Sequence, residues 1–159
     1  MMKKLSKGFT IIELLVVVAI IAVLAAIVLV NVTGYINKGK NAAIQGNMAT
    51  ILTNAAVYYD TNGHYGGFGV ATNPTYNGPA TAAASANGGT ALTFNCNKVA
   101  CLATDAPTAW CAASVLKAVS GSTDTIFCVD STGSKTAYSS GTPASHCTLG
   151  TAITDGVCK

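Results

Sequence analysis

Residues 8–30 read GFTIIELLVVVAIIAVLAAIVLV, and this stretch decides the fold. Residues 14–30 are 17 consecutive apolar residues. With Phe9–Ile12 ahead of them they predict a helix just long enough to span a hydrocarbon core of about 30 Å. The run is longer than the roughly 7–15 residues of a signal-peptide core, and no small-residue cleavage site closes it. Lys3, Lys4 and Lys7 precede it. They predict a cytoplasmic N-terminus with the bulk of the chain outside. One acid, Glu13, sits near the start of the span and is the only glutamate in the protein. A carboxylate there costs a few kcal/mol even on lenient insertion scales, which makes it a functional candidate. No lysine or arginine lies within the segment to pair with it. One cation can be created there, the α-amino group released by a cut just before Phe9. Phe9 and Glu13 are four residues apart and share a helical face. Glu13 therefore has two possible partners, the amine of its own chain or that of a lateral neighbour.

The helix is predicted to continue past residue 30. In NKGKNAAIQGNMATILTNAAVYYD, residues 37–60, the apolar positions Ile44, Met48, Ile51, Leu52, Ala55, Tyr58 and Tyr59 fall at helical spacing. They mark one face that packs on a head. Asp60-Thr-Asn-Gly63 reads as the stop, with Asn62 or Gly63 in the left-handed cap conformation. The rest of an EF-hand loop is missing around it, so no calcium loop is assigned.

Six cysteines, Cys96, Cys101, Cys111, Cys128, Cys147 and Cys158, all lie in the last two fifths of the chain. An even count on the exported side predicts disulfides. There is no C-x-x-C, and neither His64 nor His146 has a partner at ligand spacing, so no metal site is expected. Six cysteines allow 15 pairings. Sequence proximity favours Cys96–Cys101, Cys111–Cys128 and Cys147–Cys158.

The net charge of +3 is carried by the three leading lysines; without them six lysines face six acids. No arginine occurs anywhere. That argues against a nucleic-acid surface. Two histidines and scattered acids do not assemble a nucleophile, base and orienter, and no phosphate loop appears, so neither catalysis nor a cofactor is expected. Residues 66–93, GGFGVATNPTYNGPATAAASANGGTALT, lack a firm period and read as surface loop. AWCAASVLK (109–117) reads as a helix opened by Asp105 and Pro107 or as a strand; as a strand it joins TIFCVD (125–130) and SKTAYSS (134–140), with Gly/Ser/Asp turns between them, in an antiparallel meander. Asp130, Ser131 and Ser134 read as turn residues. Residues 140–159 read as irregular, held down by Cys147 and Cys158.

The N-terminus, KGFTIIELLVVVAIIAVLAAIVLVN, resembles that of type IV pilins and type II secretion pseudopilins. The features that carry the resemblance are the basic leader ending in Gly8, then Phe9, Thr10, Ile11–Ile12 and Glu13. TNAAVYYDTNGHYGG, residues 53–67, is similar to the end of that family's long helix, and CVDSTGSK, residues 128–135, to a sheet hairpin found in some of its members. Two departures stand out. Val30 precedes Asn31 where many members have proline, and Ala22 lies near the place of a mid-run glycine. The resemblance implies that a prepilin peptidase cuts between Gly8 and Phe9 and that Phe9 becomes the N-methylated first residue. It implies further that Glu13 meets a neighbour's amine during assembly. Thr10 receives no role.

The expected architecture is α+β, a lollipop in which a long N-terminal helix packs on a small antiparallel sheet. The leader is expected at 1–8 and the helix at 9–60, with its membrane or filament-core half at 9–32. A connecting loop is expected at 61–108 and a disulfide-stabilised head at 109–159. The expected role is a structural subunit of a surface filament. Its expected partners are identical subunits, the peptidase, an inner-membrane assembly platform and, before assembly, membrane lipid. The location passes from bacterial inner membrane to an extracellular or periplasmic filament. The alternatives are a secretion or DNA-uptake pseudopilin and a membrane-anchored binding module that never polymerises.

Overall fold

A computed structural model describes residues 8–98, 101–119, 125–147 and 157–158. Met1–Lys7 of the basic leader lie outside the described residues. The elements are, in order, helix α1 (Ile11–Asn62), helix α2 (Pro74–Asn87), strand β1 (Thr93–Cys96) and a short 3-10 turn (Ala103–Asp105). Strands β2 (Trp110–Val115), β3 (Ile126–Asp130) and β4 (Lys135–Tyr138) and helix α3 (Pro143–His146) follow. This is an α+β protein with a long apolar N-terminal helix and a four-stranded antiparallel sheet. The chain divides into two compact units, Met1–Ile36 and Asn37–Lys159.

In the first unit every described side chain from Gly8 to Leu29 is exposed. The apolar helix has no inward face because it is apolar all round, as a membrane or bundle environment requires. It is the one helix among the described residues long and apolar enough to cross a membrane, with a mean hydropathy of 3.3 in its most apolar window.

The second unit opens at Asn37, wider than the 109–159 expected for the head. The sheet is a meander in the order β1-β2-β3-β4, each strand antiparallel to the next. Its two faces are both covered. Trp110, Ala112, Phe127 and Val129 point to the main core, where Ile44, Met48, Ile51 and Ala55 of α1 lie fully buried. Those four α1 residues step by 4, 3 and 4 positions, as the sequence stripe predicts. Leu52 and Tyr58 of the same stripe are partly buried, and Tyr59 remains exposed. Cys111, Ala113, Ile126 and Cys128 point the other way, into a second cluster with Cys147. Alternate residues of β2 and β3 thus feed two cores, so neither strand shows a polar face.

Asparagine amides tie α1 to the rest of this unit. The Asn41 side chain accepts from Lys117 N at 2.7 Å and donates to Lys117 O at 2.9 Å, while Asn37 donates to Ala118 O at 2.8 Å. Both backbone groups of the strand end find partners without another strand. Helix α1 closes at Gly63, whose φ of 72° is the left-handed cap anticipated there.

The expected loop at 61–108 is corrected: it contains α2 and β1. The Asn73 side chain accepts from Thr75 N at 3.1 Å, Pro74 occupies the first turn, and Gly88 closes the helix at φ 101°. An alanine-rich interior between these signals favours helix. Pro79 inside it was the contrary sign. Proline has no N–H to give the carbonyl four residues back. That carbonyl, Thr75 O, instead accepts from the Asn54 amide of α1 at 2.6 Å. Tyr76, Ala80 and Ala83, at helical spacing, bury against the core.

Burial pushes the Tyr76 hydroxyl up to about 12. An unfolded tyrosine ionises near 10. Between those values the unfolded chain loses a proton that the folded chain keeps, so rising pH favours unfolding. Stability in urea is expected to decline from about pH 10 upward, and Tyr76→Phe should remove part of that decline. An identical alkaline slope in both proteins would refute the assignment to Tyr76.

Candidate functional site at the helix N-terminus and the disulfide-stapled sheet

Gly8, Phe9, Thr10 and Glu13 gather at the start of α1. Thr10 precedes the first helical residue, Ile11, and Glu13 is the third residue of the helix. Glu13 Oε2 accepts from Thr10 N at 2.9 Å and from Thr10 Oγ1 at 2.8 Å. Glu13 N donates to Thr10 Oγ1 at 3.3 Å, and Leu14 N donates to Thr10 O at 3.3 Å. This is a reciprocal capping box, in which two otherwise orphaned helix-end amides are satisfied by side chains. Its sequence signature, Thr-x-x-Glu, was present, yet the sequence reading gave Thr10 no role. The carboxylate is thereby held over the positive end of the helix dipole. Phe9 stands next to it, exposed.

The cysteines form three disulfides. Cys96 joins Cys101, as sequence proximity suggested. The other two expected pairs are corrected: Cys111 joins Cys147, and Cys128 joins Cys158. The sheet register supplies the reason. Cys111 lies opposite Asp130 and Cys128 opposite Ala113, so the two cysteines share a face but sit on a diagonal. Diagonal neighbours are about 7–8 Å apart, beyond the usual Cα separation of a disulfide. The observed pairs have Cα–Cα distances of 5.5 and 5.9 Å. Both bonds run from the second sheet face to one covering segment, which carries α3, Cys147 and Cys158. The Asn95 amide also donates to Cys147 O. The ring of His146 stacks on Tyr138 with centroids 3.9 Å apart.

Asp130 completes this arrangement. It is 1% exposed. Its Oδ1 accepts from Thr132 N at 2.9 Å, Thr132 Oγ1 at 2.6 Å and Ser134 N at 3.2 Å. Its Oδ2 accepts from Cys158 N at 2.9 Å. Ser131 closes the same turn onto β2, with Ser131 N donating to Trp110 O at 2.9 Å. The turn reading of Asp130, Ser131 and Ser134 fits these bonds, but the sequence did not show that the carboxylate also holds Cys158. Its oxygens are engaged by amides and a hydroxyl, and no group of three metal-ligating side chains occurs among the described residues.

Comparison with known proteins agrees with the N-terminal geometry. Residues 3–29 match the family described as the prokaryotic N-terminal methylation motif. The chain is similar to the type IV major alpha-pilin of Moraxella bovis, 49% identical over 43 residues, which are 27% of this chain and 27% of that relative. The match therefore spans about a quarter of the length of the curated relative. No solved structure matches. By its N-terminal segment, with Gly8, Phe9 and Glu13 at the head of an apolar helix, the chain is similar to proteins that carry the prokaryotic N-terminal methylation motif, a type IV major pilin among them.

Proposed function

We propose that this protein is the structural subunit of a type IV pilus-like surface filament. The carrying observation is the coincidence of the methylation motif with a helix that is exposed and apolar on all sides and opens on a single carboxylate. The motif and helix fit a membrane-anchored precursor. Prepilin peptidase cuts between Gly8 and Phe9, and Phe9 is methylated at its new amine. An inner-membrane platform then draws the subunit from lipid into a homopolymer.

In this reading the apolar helices exchange lipid for one another. Glu13 exchanges its local cap for the amine of a neighbour's Phe9, and that pairing sets the axial register between helices. The Thr10 box keeps the carboxylate satisfied beforehand, because an unpaired charge in hydrocarbon is costly. The head unit, carrying three disulfides, faces solvent.

Shearing the cells and weighing the N-terminal peptide of this protein in the released fraction tests the reading. A peptide beginning at methylated Phe9 in sheared material is expected. A chain beginning at Met1 and confined to membranes would overturn it in favour of an anchored module. A cut chain confined to the envelope would move the assignment to a pseudopilin.

A further inference from the structure

The four cysteines of the second cluster are wired crosswise, and the two on the covering segment are themselves adjacent. Cys147 and Cys158 are antiparallel bridge partners. Such partners have Cα atoms about 4.5–5.5 Å apart, inside the range a disulfide spans. Each nevertheless bonds across to the sheet, to Cys111 and Cys128 respectively. A Cys147–Cys158 disulfide is thus one exchange step away from the bonds that exist. Of the four, Cys158 is partly exposed, while Cys111, Cys128 and Cys147 are fully buried.

We propose that this cluster is a thiol–disulfide exchange site whose reactant is a dithiol, and that one two-electron reduction there undoes both staples. A thiolate of the dithiol attacks Sγ of Cys158, the one cysteine of the four that is not fully buried. The Cys128–Cys158 bond breaks and Cys128 leaves as thiolate. The second thiol of the reductant resolves the mixed disulfide, and the reductant departs as its own disulfide. Cys158 is now a thiolate beside Cys147. It attacks Cys147 Sγ, the Cys111–Cys147 bond breaks, and Cys111 leaves. The products are one Cys147–Cys158 disulfide and two thiols, Cys111 and Cys128, which take up the two protons that the reductant gave up. Proximity favours the internal step, because a neighbouring thiolate acts at an effective concentration that no external thiol matches.

The covering segment then has no covalent tie to the sheet. Among the described residues, the Asp130 carboxylate on Cys158 N, the Asn95 amide on Cys147 O and the Tyr138–His146 stack still hold it. The face beneath it offers little apolar surface: among the described residues, Ala113 and Ile126 are buried there besides cysteines, with Tyr138 partly buried. Release of the segment follows from the exchange, while the main core, built on the opposite sheet face, is untouched.

The test treats oxidised full-length protein in detergent with limiting dithiothreitol, quenches with acid, alkylates the thiols and digests with trypsin without reduction. Cleavage at Lys117 and Lys135 puts Cys111 and Cys128 on separate peptides and both Cys147 and Cys158 on peptide 136–159. The expected product is peptide 136–159 with an internal disulfide, accompanied by alkylated Cys111 and Cys128. It should exceed singly opened forms by about tenfold or more. Alkylation of Cys128 and Cys158 with Cys111–Cys147 intact would overturn the proposal. So would loss of both bonds without the bridged peptide, or opening of Cys96–Cys101 alone at excess reductant. Cys111→Ser provides a second readout. It frees Cys147 beside an intact disulfide, so Cys128 should carry the alkyl group with no reductant added; an alkylated Cys147 would contradict the exchange.

Discussion

Glu13→Ala is expected to leave a subunit that is inserted and cut after Gly8 yet yields few or no sheared filaments. The proposed cut site, Gly8–Phe9, lies outside the substituted residue, and the apolar helix gains hydropathy from the change. What is lost, on the proposed function, is the partner of the Phe9 amine. Removing one member of a desolvated ion pair costs roughly 3–5 kcal/mol. At about 1.4 kcal/mol per factor of ten, each subunit contact weakens by roughly two to three and a half orders of magnitude. Thr10→Val separates the two duties of the carboxylate. It removes the hydroxyl of the capping box but leaves Glu13 to meet a neighbour, and caps contribute only about 1 kcal/mol. Filament yield should therefore fall far less for Thr10→Val than for Glu13→Ala. Immunoblots of sheared and cell-bound fractions, with the N-terminal peptide mass as the control for processing, decide the matter. Normal yield from Glu13→Ala would refute the role given to this acid.

Asp130→Ala is expected to be the most destabilising single change in the second unit. The side chain accepts four hydrogen bonds, three of them from backbone amides. Truncation strands those donors, and each unsatisfied buried group costs about 1–3 kcal/mol. Part of that is recovered where water reaches the Thr132 turn, so a net loss of about 3–5 kcal/mol is expected. Asp130→Asn keeps one carbonyl oxygen for the turn and loses the acceptor for Cys158 N. It should cost less, and its effect should concentrate on the covering segment. Urea titration of the oxidised protein gives the first quantity and hydrogen exchange at Cys158 the second. A loss under 1 kcal/mol for Asp130→Ala, about that of a single ordinary hydrogen bond, would show that the carboxylate is not the anchor described here.

Sequence made the first sixty residues legible because their signals are local. An apolar run, a 4-3-4 stripe and a glycine stop each act within one helix. The Thr10–Glu13 box is equally local, but its Thr-x-x-Glu signature coincides with an acid whose charge in an apolar run already suggests another role. Helix α2 was obscured for a different reason. Its start signal, Asn73-Pro74, and its end signal, Gly88, were visible, but Gly78 and Pro79 between them argue for loop when α2 is considered alone. The amide that makes Pro79 acceptable belongs to Asn54, 21 residues away from the carbonyl it serves. The disulfides failed on the same ground. Nearness along the chain favours Cys111–Cys128, whereas strand register places those residues on a diagonal. The double burial of β2 and β3 was invisible for want of any sign that a later segment returns over the second face.

The Asn54–Thr75 bond ties the history of two distant positions together. While Asn54 is present, residue 79 is free to be proline or not, since a surplus donor on Thr75 O does no harm. Once residue 79 is proline, Asn54 supplies a donor that the helix backbone four residues on no longer can. Without Asn54, a proline at residue 79 leaves that carbonyl to solvent alone. Substitution at residue 54 is thus contingent on residue 79, a dependence that operates through a single backbone oxygen.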